Sequence, residues 1–229
     1  MSPRLDPAAL ALHLVTDTAL SAPRTVPDVV AAAVRGGATM VQVREKDAPV
    51  RELVALLTAV AERVGREVPV LVDDRADVYL AARAAGAPVA GVHVGQSDLP
   101  VALAREICGP QAVLGLSAAT AEELDAAAAL PAGTVDYLGV GAVRATRTKH
   151  DHPEPLGVEG FARAAARAAL PCLAIGGVRV EDAPALRTAG AAGLAVVSGI
   201  CADPDPGAAA ARYVRAFTGA PAAAGEVAR

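Results

Sequence analysis

The stretch Met40-Val41-Gln42-Val43-Arg44-Glu45-Lys46, followed after a short gap by Val50–Val64, carries the unit from which the chain is built. Its first part is a near-continuous apolar run that ends in charges. Its second part spaces apolar residues three and four apart, which suits a helix of three to four turns. Working outward, the same kind of run returns at Leu12–Asp17, Val68–Asp74, Gly91–Gly95, Val113–Ala118, Tyr137–Val143, Cys172–Val178 and Gly193–Ile200. Ala-rich stretches of helical length, such as Gly157–Ala169, fill the gaps.

Runs so rich in Val, Leu and Ile suit parallel strands covered by helices better than half-exposed strands. Eight strand–helix units in succession predict a single (β/α)8 TIM barrel of the α/β class. An open doubly wound sheet shares the local signature. The length of 229 residues is near the roughly 250 usual for such a barrel. No composition shift marks a domain boundary, so one catalytic barrel domain over residues 1–218 is expected. Residues 219–229, beginning Gly-Ala-Pro-Ala-Ala-Ala-Gly, read as a disordered tail.

Composition narrows the function. Only 2% of residues are aromatic, which argues against stacked nucleobases, and the net charge of −4 lacks the basic footprint of a nucleic-acid binder. Cys108, Cys172 and Cys201 lie far apart with no Cys-x-x-Cys spacing, so they read as reduced intracellular thiols. No signal-peptide pattern or membrane-length apolar run is present. A cytoplasmic protein with small-molecule partners is expected, and neither nucleic acid nor membrane. Oligomeric state is open, with a homo-oligomer compatible.

In a barrel, chemistry sits at the C-terminal ends of the strands. Polar residues accumulate there. Alternation places Gln42, Arg44 and Lys46 on one side of strand two, an arrangement that asks for an anion; a surface pair with Glu45 or Asp47 is the plainer reading. Strand three ends in Asp73-Asp74-Arg75, and strand four leads through His93 to Gln96-Ser97-Asp98. Carboxylates from adjacent strand ends suit Mg²⁺, which takes few protein ligands and completes its shell with water and phosphate. Helix N-capping by Asp74 or Asp98 is the competing reading. His93, alone on an apolar strand, fits a core histidine better than a base. Thr146-Arg147-Thr148-Lys149 after strand six suit a phosphate clamp, or a solvated basic loop. Gly176-Gly177 after strand seven and Ser198 after strand eight match the usual phosphate site of these barrels.

Taken in order, Leu14-Val15-Thr16-Asp17, Gln42-Val43-Arg44-Glu45-Lys46, Asp74-Arg75, His93-Val94-Gly95-Gln96-Ser97-Asp98-Leu99-Pro100, Gly115-Leu116-Ser117, Thr146-Arg147-Thr148-Lys149, Ile175-Gly176-Gly177-Val178 and Val197-Ser198 resemble the thiamine-phosphate synthase family from about Leu12 to Tyr213. The resemblance implies a transferase that joins 4-amino-2-methyl-5-hydroxymethylpyrimidine diphosphate to a thiazole phosphate and releases pyrophosphate. It implies that Gln42, Arg44 and Lys46, with Asp73, Ser117 and Lys149, hold the pyrimidine diphosphate. The flanking motif residues Val43 and Glu45 are included with them. Asp74 and Asp98 would bind Mg²⁺, and Thr146, Arg147, Thr148, Gly177, Val197 and Ser198 the thiazole phosphate. The implied chemistry is dissociative, and Arg44, Lys46, Ser117 and Lys149 would assist departure of the diphosphate.

Three departures from the family pattern stand out. Asp73 replaces the usual Asn, Ala142-Val143-Arg144-Ala145 replaces a Pro- and Phe-containing stretch, and Pro88-Val89-Ala90-Gly91 replaces an Ala-Asp-Gly. An added carboxylate repels pyrophosphate unless it faces the metal or is protonated, and metal contact is the expectation for Asp73. His150 and His152 keep the related thiazole tautomerase as an alternative. A non-catalytic barrel that binds a thiamine precursor is a second.

Overall fold

The computed structural model describes residues 5–146 and 154–220. Eight four- or five-residue strands alternate with helices. The first half runs β1 (Leu12–Val15), α1 (Thr18–Ser21), α2 (Val26–Arg35), β2 (Met40–Val43), α3 (Val50–Val64), β3 (Val70–Asp73), α4 (Ala76–Ala84) and β4 (Gly91–Val94). The second half continues with α5 (Val101–Cys108), β5 (Val113–Ser117), α6 (Ala121–Ala128), β6 (Tyr137–Val140) and α7 (Gly157–Arg167). It closes with β7 (Cys172–Ile175), α8 (Ala183–Thr188), β8 (Gly193–Val196), α9 (Ser198–Cys201) and α10 (Pro206–Thr218). All neighbouring strands are parallel and β8 pairs back onto β1, with Leu14 opposite Val196. The sheet is therefore closed, which excludes the open doubly wound alternative.

Alternation along each strand sorts the side chains into two layers. Val41, Val43, Val70 and Val72 face outward and join Leu53, Leu57 and Val60 of α3 in one continuous core. The buried positions of α3 recur every three or four residues, the stripe a covering helix needs. Met40, Leu71, Val113, Tyr137 and Leu173 face inward and form a second cluster with Leu5 and Leu10. The short turn Pro7–Leu10, capped by Asp6, thus plugs the N-terminal end of the barrel. At Gly193 a Cβ would stand 1.6 Å from the Leu10 carbonyl oxygen, so only glycine lets this plug seat.

Several helix ends carry local signals that agree with the fold. Thr120 and Glu123 form a capping box at α6, and Asp205 accepts from the Ala208 amide at the start of α10. Gly219 ends α10 in the left-handed conformation, and the tail beyond Ala220 lies outside the described residues. The departure at Pro88–Gly91 only delivers β4. The Ala90 amide donates to the Val70 carbonyl at 2.8 Å, and its own carbonyl accepts from Val113 at 2.9 Å.

Candidate active site

The C-terminal mouth collects polar groups because strand alternation turns them there. In β2 and its extension, Gln42 and Arg44 face the lumen while Val43 packs outward in the hydrophobic core. Gln42 Nε2 donates to Asp73 Oδ1, and Arg44 Nε lies 3.4 Å from Asp73 Oδ2. The Arg44 amide donates to Thr16 Oγ1 at 3.0 Å, which ties the β2 end to β1. Lys46 is exposed on the loop beyond, and its charge acts on Asp73. Glu45 turns to α1, where Oε1 accepts from the Thr18 amide at 3.1 Å and from its hydroxyl. The expected strand-two set therefore divides. Gln42, Arg44 and Lys46 belong to the mouth, whereas the side chains of Val43 and Glu45 serve packing and the neighbouring turn.

Three carboxyl groups meet beside these cations. Burial pushes the Asp73 carboxyl above its ordinary range, and the Arg44 charge opposes that push. Asp74 is pushed up to about 8, first by burial and then by the charge of Asp73 and by hydrogen bonding and charge from Asp98. Asp74 also holds a φ of 60°, the left-handed region that costs a non-glycine residue about 1–3 kcal/mol. Its amide donates to the His93 carbonyl at 2.7 Å, which ties the end of β3 to β4. Asp98 Oδ2 accepts from the Gly95 amide at 2.9 Å. Neither Asp74 nor Asp98 is an N-cap: α4 and α5 follow Arg75 and Pro100 and carry no side-chain cap.

Gathered carboxyl groups, of which Asp73 and Asp74 are pushed above their ordinary range, beside a strained backbone fit a site that a cation completes. Among the described residues no three His, Cys, Asp or Glu side chains form a ready-made cage. Mg²⁺ takes few hard oxygen ligands from protein and fills its other positions with water and phosphate, and Asp74 and Asp98 offer such oxygens. The residues present fit that ion.

On the adjoining wall, where His93 of β4 pairs with Asp73 of β3, the strands β4, β5 and β6 bring together a chain of hydrogen bonds. His93 Nδ1 lies 3.0 Å from Tyr137 Oη, and His93 Nε2 lies 3.0 Å from Ser117 Oγ. Gln96 Nε2 donates to the Ser117 carbonyl at 2.6 Å and fixes the strand end. Tyr137 was not legible as a site residue within the apolar run of β6. Its signal was the alternation that turns Tyr137 and Gly139 to the lumen beside Gly115.

Across the mouth, the loop after β6 lies on the end of β7. The Val143 amide donates to the Ile175 carbonyl and the Arg144 amide to the Gly176 carbonyl, both at 2.9 Å. Gly176 and Gly177 have φ of 87° and 64°. A Cβ on Gly177 would stand 2.9 Å from Arg144 Cβ, so the loop itself requires glycine. The departing residue Arg144 has a structural role: its guanidinium holds Asp182 with contacts of 2.8 and 2.6 Å. Ile175 pairs with Ala195, so two residues further on Gly177 and Val197 stand on neighbouring strand ends, with exposed Ser198 next in the chain. Thr146 is half-buried at the edge of this region. Arg147, Thr148, Lys149, His150 and His152 lie outside the described residues.

Relatives share this frame. The family model for thiamine monophosphate synthase matches residues 12–200. A thiamine-phosphate synthase of Corynebacterium efficiens is 48% identical over 192 residues, 84% of this chain and 88% of the relative. Another from Azorhizobium caulinodans is 46% identical over 200 residues, 87% of this chain and 91% of the relative. The solved thiamine phosphate pyrophosphorylase of Pyrococcus furiosus superposes with a TM-score of 0.81 at 29% identity, covering 93% of this chain and 98% of its own. Orotidine 5'-phosphate decarboxylase from Pyrococcus horikoshii, at 16% identity and a TM-score of 0.62, shares the barrel alone. With this frame and these relatives, the chain belongs to the thiamine-phosphate synthase family of enzymes, which condense a pyrimidine and a thiazole moiety into thiamine phosphate.

Proposed function

We propose that the C-terminal mouth binds 4-amino-2-methyl-5-hydroxymethylpyrimidine diphosphate through Gln42, Arg44, Lys46, Ser117 and Lys149, with Asp73 as the resident partner of Arg44 that the diphosphate displaces. The thiazole phosphate sits opposite, on Thr146, Arg147, Thr148, Gly177, Val197 and Ser198. Asp74 and Asp98 hold Mg²⁺, which supplies positive charge to the departing diphosphate. The observation that carries this reading is the convergence of Asp73, Asp74 and Asp98 beside Arg44 at one strand-end cluster. It is an anion site and a cation site in contact.

The reaction then follows from charge. The bond from the pyrimidine methylene carbon to the diphosphate oxygen breaks, and the electron pair leaves with the diphosphate. The aminopyrimidine ring stabilises the methylene cation, and the thiazole nitrogen adds its lone pair to that carbon. No strong base or nucleophile is needed. Arg44, Lys46 and Lys149 stabilise the charge that develops on the leaving group, which is the interaction that lowers the barrier. The glycine amides at the β7 end hold the second substrate in line with the methylene carbon. Buried free thiols at Cys108, Cys172 and Cys201 suit the reducing cytoplasm in which we place the enzyme.

The test is direct. Purified protein supplied with both substrates and Mg²⁺ forms thiamine phosphate and pyrophosphate, and excess EDTA abolishes the reaction. Full turnover in EDTA excludes the metal site at Asp74 and Asp98.

A further inference from the structure

We infer that Tyr137 and His93 act as positioning residues that turn the hydroxyl hydrogen of Ser117 toward the departing diphosphate. The inference rests on the proposed contact between Ser117 and that diphosphate. It assigns what decides which way the hydroxyl points.

The argument starts from one buried hydrogen. Tyr137 is fully buried, and His93 Nδ1, 3.0 Å away, is the hydrogen-bond partner its hydroxyl has among the described residues. A buried hydroxyl hydrogen left without an acceptor is costly, so Tyr137 donates and Nδ1 accepts. Burial also holds the Tyr137 hydroxyl well above its ordinary pKa, so the hydrogen stays in place. A hydrogen on Nδ1 would set two donors against each other across that contact. The imidazole hydrogen therefore sits on Nε2, which faces Ser117 Oγ at 3.0 Å and donates to it. With an Oγ lone pair occupied, the hydroxyl hydrogen of Ser117 rotates away from the ring. Ser117 ends β5 half-buried at the mouth, where that direction leads to the substrate.

The barrel gives up two side chains to fit this array. A Cβ at Gly115 would stand 2.3 Å from both His93 Nδ1 and Tyr137 Cζ, and one at Gly139 would stand 3.2 Å from His93 Cε1. A histidine that merely filled the core would not need its ring aimed along a line from Tyr137 to a strand-end serine.

Two measurements test the inference. In the intact protein, ¹⁵N NMR of the His93 ring shows the hydrogen on Nε2; a hydrogen on Nδ1 overturns the assignment. The second is a double-mutant cycle on turnover. Ser117→Ala lowers kcat by about 10- to 100-fold, the worth of a hydrogen bond to a charged group. Tyr137→Phe lowers kcat by about tenfold, as loss of an outer-shell partner does elsewhere, and leaves the KM for the thiazole phosphate unchanged. In the Ser117→Ala background the same Tyr137→Phe change has no further effect on kcat. An equal loss in both backgrounds means that Tyr137 acts through packing, and the inference fails while the site reading stands. A Ser117→Ala variant with full kcat removes the Ser117 contact itself and the inference with it. If Tyr137→Phe does not fold, the NMR result on the intact protein decides.

Discussion

Arg44 Nε lies 3.4 Å from Asp73 Oδ2 in the mouth of the barrel, and the same carboxylate accepts from Gln42 Nε2. Two groups proposed to receive the substrate's diphosphate are thus already held by a resident anion. The pair is mostly buried, with side-chain exposures of 15% and 13%, so water weakens the attraction little. Asp73 gives Arg44 a partner in the absence of ligand, and the incoming diphosphate must compete with it. In the structure the charge partner of Asp73 is Arg44, with Asp74 as its hydrogen-bonded neighbour.

Asp73→Asn keeps an acceptor for Gln42 and releases Arg44. Removal of one like charge a few ångströms from a multivalent anion is worth about 1 kcal/mol at a near-surface dielectric. The KM for the pyrimidine diphosphate should fall roughly fivefold, with the Mg²⁺ requirement unchanged. Titration of Mg²⁺ and substrate on the one variant checks both. A higher Mg²⁺ requirement with lower kcat assigns Asp73 to the metal instead.

Asp74, pushed up to about 8, carries a proton at neutral pH when no cation is bound. Mg²⁺ must displace that proton. Its apparent affinity should therefore rise with pH up to about 8 and level off above it. Calorimetric Mg²⁺ titrations between pH 6.5 and 9 check this. Asp74→Asn should lose both the pH dependence and much of the affinity.

His13 lies buried inside the barrel with no hydrogen-bond partner for either ring nitrogen among the described residues, and its pKa is lowered to about 3, first by burial and then by the charge of His93. The unfolded chain regains the ordinary value of 6.5, so between 6.5 and 3 it binds a proton that the folded protein refuses. The stability from neutral His13 is complete above 6.5 and is lost as pH falls, by about 1.4 kcal/mol per unit. His13→Met should remove that slope. Urea melts at pH 6.5 and 5 should show the difference between the two proteins change by about 2 kcal/mol.

Asp136 Oδ2 accepts from Arg105 Nη2 at 3.0 Å and from the Leu114 amide at 2.8 Å, linking α5 to the starts of β5 and β6. Asp136→Ala removes the carboxylate from a largely buried ion pair, which typically costs about 3–5 kcal/mol. Thermal melts should show a large drop, while the KM values of the remaining folded enzyme stay unchanged because this pair lies at the end of the barrel remote from the mouth.

The barrel was legible because its signal is repeated: each of the eight apolar runs became a strand. The strand-end positions of Gln42, Arg44, Asp74 and Gly177 followed from alternation and strand count. What alternation cannot give is the partner across the barrel. Asp73 meeting Arg44, and Tyr137 meeting His93, depend on which residues of different strands share a level, and that is set by the register of a closed sheet. Glu45 illustrates the same limit. Its place in the strand-two motif does not reveal that its carboxylate accepts from the Thr18 amide. The glycines at 115 and 139 looked like ordinary strand glycines until the rings of His93 and Tyr137 filled the space beside them.

The central claim is that diphosphate departure from the pyrimidine is assisted by Arg44 beside a cation held on Asp74 and Asp98. Its most direct test is pyrophosphate release from the two substrates, followed in single turnover with and without Mg²⁺ in wild type, Arg44→Ala and Asp98→Ala. Wild type with Mg²⁺ should release pyrophosphate and form thiamine phosphate in equal amounts. Each variant should be slower by about 100-fold or more, the usual loss for one charge-stabilising group. Release at the wild-type rate in either variant, or in wild type with EDTA, would contradict the account.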